Sequence, residues 1–314
     1  MKPTSVIFII ISGVLILAGV IVCCVAGFMA SGQDIELYCD YVDETGNAVT
    51  EHEINGKNLS SINIDVEKAI VNIYGNSPKS YVKVENYPDK AYDLWLTAGD
   101  LNIEDADANS IFSSLRINES GFGFDGLRHY LALGKYKNKD RVINIYLSEK
   151  DNLSDIKIDL ESGNVFMKDF NVSASLDIDV DDGNVTLQNI TSDGKANIHG
   201  ENSVFTFDCC DIFDTIADIS ETGTINCILK LQHIFTLNCT SSGNVYLDDV
   251  KANAEFSGVY PEVPIIIPVQ PVAPVEGEEA VEEAPAEDEV VTPVSFKGDV
   301  KYGDIKISVK NFES

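Results

Sequence analysis

Positive charge is scarce in this chain. Its 314 residues include 22 Lys and Arg against 51 Asp and Glu, a formal net charge of −29. Nucleic-acid binding needs a basic face that neutralises phosphates, so no nucleic acid is expected among the partners. The same acidity repels anionic lipid and favours solubility of whatever is exposed. Signatures of nucleophilic and phosphate chemistry are missing too: there is no Gly-x-Ser-x-Gly elbow and no Gly-rich phosphate loop. The seven cysteines form no Cys-x-x-Cys pair and no zinc spacing. The histidines, His52, His129, His199 and His233, share no metal spacing. The single tryptophan, Trp95, and the tyrosines are scattered as strand packing would scatter them. No catalytic or cofactor-binding residue is expected on these grounds. Acidity does not imply disorder here, because 44% of the residues are apolar.

One apolar run is long. Val6 to Ala30 carries no charged residue, and as a helix it would extend roughly 35 Å, enough to cross a bilayer. A cleavable signal peptide has a shorter apolar core and a small-x-small exit; here the exit offers Phe28-Met29-Ala30, with a bulky Phe28. Cys23-Cys24 lacks the preceding small residues of a lipoprotein signal. The expectation is therefore an uncleaved transmembrane anchor over 6–30. Residues 1–5 would be cytoplasmic, with Lys2 inside, and the acidic bulk would be extracellular. Localisation follows: the cell membrane, single-pass, with residues 31–60 as a stalk.

The second half repeats. Gly163, Gly183, Ser203, Gly223 and Gly243 follow one another at a twenty-residue interval, in segments reading ESGNVFMKDF, DDGNVTLQNI, ENSVFTFDCC, ETGTINCILK and SSGNVYLDDV. A fixed period of this size, with a turn followed by alternating apolar residues, predicts an all-β, single-stranded right-handed β-solenoid with ~20-residue rungs. Val165, Val185, Phe205, Ile225 and Val245 form one inward column and Met167, Leu187, Phe207, Cys227 and Leu247 the next. Phe166, Thr186, Thr206, Asn226 and Tyr246 face out between them. The other half-turn carries Ile156/Ile158, Leu176/Ile178 and Ala196/Ile198, then slips by one to Ala217/Ile219 and Leu237/Cys239, which calls for a bulge or a changed corner. Glycine suits a left-handed corner, and Asn164, Asn184 and Asn244 after it can hydrogen-bond along the axis as a ladder. Cys227 reads as a small core residue, with a Cys209–Cys227 disulfide as the extracellular alternative.

The solenoid is expected over 61–258, with an irregular segment at 104–140 whose GFGFDGLRHYLALGKYKNKD reads as a loop with a short helix. Residues 259–293 are rich in Pro, Glu and Val and lack any basic residue; they read as a disordered acidic insert. Strand pattern resumes at 294–314, where Gly303-Asp304-Ile305-Lys306-Ile307 repeats the unit as a closing rung.

Glu161, Asp181, Glu201 and Glu221 precede the turns at one repeat position. Stacked about 4.8 Å apart, unit charges repel in water by roughly 0.9 kcal/mol, a tolerable cost for a solvated edge that resists aggregation. A calcium column at the same four residues is the sharper alternative, although the Asp-Gly nonapeptide of calcium-binding solenoids is absent. Otherwise no cofactor is expected. Asp179, Asp181 and Asp182, or Asp208, Asp211 and Asp214, could serve glycan cleavage, which needs a cleft and displaced pKa values.

The anchor, the opening INIDVEKAIVNIYG and the recurring SGNV, DGNV and GDIKI units resemble a bacterial family of candidate adhesins built from β-strand repeats, a domain of unknown function in cell-envelope proteins. The resemblance covers residues 60–314 apart from the acidic insert. It implies a β-solenoid ectodomain and, in some members, a link to envelope-stress signalling; it supplies no catalytic motif. The expected function is a non-enzymatic, membrane-anchored binding scaffold or adhesin with an envelope protein or glycan as partner. The alternatives are an envelope-stress accessory protein and a glycan-cleaving β-helix enzyme.

Overall fold

A computed structural model describes residues 12, 15–17, 19–22, 39–54, 58–87, 91–106, 139–230, 235–252, 255–260 and 294–310. Among them no helix is long and apolar enough to cross a membrane; most of the expected anchor at 6–30, the bulk of segment 104–140 and residues 261–293 lie outside the described residues. The strands are β1 (Tyr41–Val42), β2 (Ala48–Glu53), β3 (Ser61–Ser77), β4 (Tyr81–Glu85), β5 (Tyr92–Thr97), β6 (Asp100–Asp105), β7 (Val142–Ser148), β8 (Leu153–Lys168), β9 (Asn171–Gln188), β10 (Thr191–Asp208), β11 (Asp211–Lys230), β12 (Phe235–Ser241), β13 (Val245–Leu247), β14 (Val250–Lys251), β15 (Glu255–Tyr260) and β16 (Val294–Lys310).

The chain is all-β and β-solenoid-like. β8, β9, β10 and β11 stack in parallel, each one repeat above the last. Inward residues change parity midway along a rung: Ile156, Ile158 and Leu160 are buried before the corner, Val165 and Met167 after it. That change shows the strand folding at 161–164, so that its two halves enclose one core. The halves are called the first and second faces below. The columns Val165/Val185/Phe205/Ile225 and Met167/Leu187/Phe207/Cys227 are buried, and they continue through Val71 and Ile73 on β3 and Ile305 and Ile307 on β16.

The half-turn slip is a pair of compensating irregularities. Ser192 pairs with Ile212, but Lys195 pairs with Asp214; Gly200 pairs with Ile219, and Asn202 returns to Thr222. One extra residue in β10 before Lys195 is answered by one extra in β11 after Ile219, and the buried column runs Ile158, Ile178, Ile198, Ala217. Ala217 and Ile219 do not align with Leu237 and Cys239, as the repeat suggested. They align through Gly298 and Val300 with Cys239 and Ser241, a shift of two that keeps the same side inward.

Sequence order and stacking order differ at both ends. β16 does not close the stack; it lies between β11 and β12, with β13 on its second half. The expected fifth unit, 231–250, is therefore the rung beyond β16. At the other end β6 and β7 together form one rung outside β3, so the segment 104–140 departs from the end of a first-face strand and returns at the start of a second-face strand. Beyond these rungs the pairing turns antiparallel: β5 on β6, β4 on β7, β2 on β4 and β1 on β2 at one end, β15 on β12 and β14 on β13 at the other. Part of the expected stalk thus belongs to an end cap. Cys227 is a free buried thiol, so the Cys209–Cys227 disulfide is not formed.

Candidate functional site

The turn positions come together as one column, though not chiefly for the reason the sequence suggested. Of the expected turn glycines, Gly163 has a positive φ (149°). At the others the constraint is space: a Cβ on Gly183 would lie 1.7 Å from Gly163 O, and one on Gly223 1.9 Å from Ser203 O. Gly243 faces Gly303 O at 1.9 Å, and Gly303 faces Gly223 O at 1.7 Å. Ser203 is accommodated because Gly200 leaves room beside it; its hydroxyl donates to Val180 O (2.7 Å) and Asp181 O (3.2 Å). The left-handed corner is the opposite one, where Asp169, Asn189 and Cys209 have φ of 61°, 51° and 59°. The signal for it was Asp and Asn recurring six residues after the glycine.

Five acids on the stack are answered by a neutral donor on the adjacent rung. Asn197 donates to Asp177 (2.6 Å), Asn202 to Asp182 (3.0 Å), Asn189 to Asp169 (2.8 Å), Gln188 to Asp208 (3.2 Å) and Ser175 to Asp155 (2.7 Å). Hydrogen bonds from Ser154 and then Ser175 hold the Asp155 carboxyl below its usual value. The asparagine ladder forms between Asn184 and Asn164 (2.8 Å), whereas Asn244 reaches Asp304 on β16 (3.3 Å).

Another row sets acids beside acids. Asp65, Asp159, Asp179, His199, Asp218 and Asp299 occupy the same outward position on β3, β8, β9, β10, β11 and β16, with Glu104 of β6 beside Asp65. Burial, then the neighbouring Asp65 and Asp179 charges, push the Asp159 carboxyl up. Asp179 Oδ1 is buried without a hydrogen-bond partner among the described residues. His199 Nδ1 lies 3.2 Å from Asp218 Oδ2. Period-twenty reading caught Asp179 alone, as part of a catalytic alternative. Asp218 falls one residue out of phase, and Asp65 and Asp299 come from rungs inserted out of order.

Glu161, Asp181, Glu201 and Glu221 follow on the corner of the same face. They run along the axis, and Lys301 Nζ meets Glu221 Oε1 at 2.8 Å where β16 adds its rung. Among the described residues no three His, Cys, Asp or Glu side chains are arranged to hold a metal ion, so the calcium reading finds no converging ligand set there. Asp179, Asp181 and Asp182 lie on one rung, whereas Asp208, Asp211 and Asp214 divide between the second face, the corner and the first face and do not converge.

The second face carries a ring stack. Tyr81 and Tyr146 are 4.3 Å apart at 9°, Tyr146 and Tyr74 5.4 Å at 26°, and Tyr74 and Phe166 5.8 Å at 56°. Ring faces are consumed by neighbouring rings, so edges and hydroxyls are presented; burial pushes the Tyr146 hydroxyl up to about 12. Past these rows a cavity of about 480 Å³ opens at the left-handed corner, lined among others by Asn76, Ser148, Asp151, Asp169, Asn189 and Thr191. Asp151 is committed to structure there, accepting from the amides of Leu59 and Ser148 at 2.8 Å each.

Stacked parallel rungs around a single two-faced core, with antiparallel caps and outward polar ladders, define a repeat-built β scaffold. The chain belongs to the Toastrack DUF4097 family, whose profile matches residues 59–259. Solved structures similar to it include a candidate cell adhesion protein from Clostridium sporogenes (12% identity, 84% of this chain and 99% of that one, TM-score 0.32). A candidate adhesin from Bacteroides fragilis is also similar (11% identity, 84% and 97%, TM-score 0.30). No curated protein matches the chain.

Proposed function

We propose that this chain is an adhesin-like binding scaffold of the cell envelope, held by residues 6–30 and acting by binding without chemistry. The observation that carries the reading is the first-face row Asp65–Asp159–Asp179–His199–Asp218–Asp299. Its carboxylates are strung along a flat face at the rung spacing of about 4.8 Å and do not oppose one another across a cleft, as acid–base pairs do. They repel one another, and a cationic partner laid along the axis relieves that repulsion. The adhesin-like names of the similar structures agree with a binding role. The test of location is protease treatment of intact cells: removal of the β-rich part from the outside is expected, and recovery of the intact protein in the cytosol contradicts the reading. The test of role is binding of the purified chain to poly-lysine as a probe, with loss of binding when the row's acids are replaced by Asn.

A further inference from the structure

β16 is inserted where the sequence leaves no vacancy. From β8 to β11 the chain spends only a two-residue corner between rungs, as at Asp169–Phe170 and Asn189–Ile190. β11 and β12 are also close in sequence, Lys230 and Phe235, yet they are held apart by a rung from residues 294–310. That rung lies beyond the family-matched segment, which ends at 259. It is complete. Asp214–Ile219 and Thr222–Lys230 of β11 pair with Ser295–Val300 and Tyr302–Lys310, and the other edge of β16 pairs with β12 and β13. Phe296, Val300, Ile305 and Ile307 are buried, and Phe296 meets Phe207 edge-to-face at 5.5 Å. Gly303 enters the glycine column between Gly223 and Gly243.

Charge also marks β16 apart. In a chain of net charge −29 it carries Lys297, Lys301, Lys306 and Lys310 against Asp299 and Asp304, and Lys301 pairs with Glu221 of β11. A basic strand therefore sits in an acidic stack, and every contact it makes is the same whichever copy of the chain supplies it. The ends of the stack are capped by antiparallel strands, which blunts end-to-end joining; β3 lies between β7 and β8 in a similar way, but β16 is the out-of-order rung that lies beyond the family-matched segment. We propose that the space between β11 and β12–β13 is a strand-accepting slot, and that its intermolecular occupant is β16 of a second copy of this chain, so that copies link by exchanging C-terminal rungs.

The test uses the full chain carrying a protease site within 261–293. After cleavage, the nicked protein is incubated with a fluorescent peptide of sequence 294–310, alone or with Gly303→Val. The expected result is one-to-one uptake of the native peptide, with the variant weaker by about tenfold or more, because its Cβ overlaps Gly223 O. In parallel, two differently labelled batches of uncut chain are mixed in mild denaturant and returned to buffer; mixed dimers or larger species are expected by native mass spectrometry. No peptide uptake, or equal uptake of both peptides, overturns the slot. Peptide uptake with only unmixed monomers overturns exchange between copies.

Discussion

Asp159 and Asp155 are exposed acids on the same strand with opposite environments. Asp159 faces other carboxylates and its folded-state pKa is raised, by burial first and by Asp65 and Asp179 next. Its contribution to stability is present below the unfolded pKa and lost as pH rises through the folded one, so at neutral pH the row stands at a cost. Asp159→Asn is expected to raise the Tm at pH 7, with the gain shrinking as the medium is acidified. Asp155 is the reverse case: Ser154 and Ser175 hold its pKa down, and its contribution is present above the unfolded pKa and lost as pH falls through the folded one. Ser175→Ala should lower the Tm at pH 7 and have little effect in acid; the pair of pH–Tm profiles checks both signs. In the glycine column, Gly183→Ala forces a Cβ to 1.7 Å from Gly163 O. It is expected to cost more than Ser203→Gly, which removes one buried hydroxyl worth about 1 kcal/mol. Chemical denaturation of the two variants ranks them.

Elements are where the sequence was most and least readable. Buried columns such as Val165/Val185/Phe205/Ile225 were legible because each rung repeats the same inward chemistry at one period. Phe205 is fully buried, and Phe205→Ala is expected to cost about 3–5 kcal/mol, measured by urea unfolding. The place of β16 was not legible. GDIKI carries the same pattern as the other units, and a pattern that fits any rung cannot say which two rungs it separates. The shift between Ala217/Ile219 and Cys239/Ser241 was hidden for the same reason, since moving by two preserves the inward face. The outer strands β1 and β2 were missed because they are short and bracketed by polar segments, so that 31–60 read as a stalk. β2 covers the outer edge of β4, so deleting residues 40–54 should expose that edge and give concentration-dependent association by light scattering.

At the scale of the whole molecule, a two-faced stack keeps its two outward surfaces chemically distinct. The second face spends its aromatic rings on one another, from Tyr81 to Phe166, while the first face keeps a row of carboxylates interrupted by His199, which lies beside Asp218. The sequence showed the acidity and the corner column Glu161/Asp181/Glu201/Glu221. It hid the neighbouring row, whose members come from strands separated by more than two hundred positions, Asp65 to Asp299, and meet only after the rungs are shuffled. The central claim is that this row is the binding face, and salt-dependent binding tests it most directly. The chain and a variant with Asp65, Asp159, Asp179, Asp218 and Asp299 replaced by Asn are titrated against poly-lysine at low and physiological ionic strength, alongside a control with equal charge removed from Asp169, Asp208 and the corner acids Glu161, Glu201 and Glu221. The account predicts that the row variant loses most of the affinity and its salt dependence while the control retains both. Equal losses in the two variants would contradict it, because binding would then follow net charge and not this face.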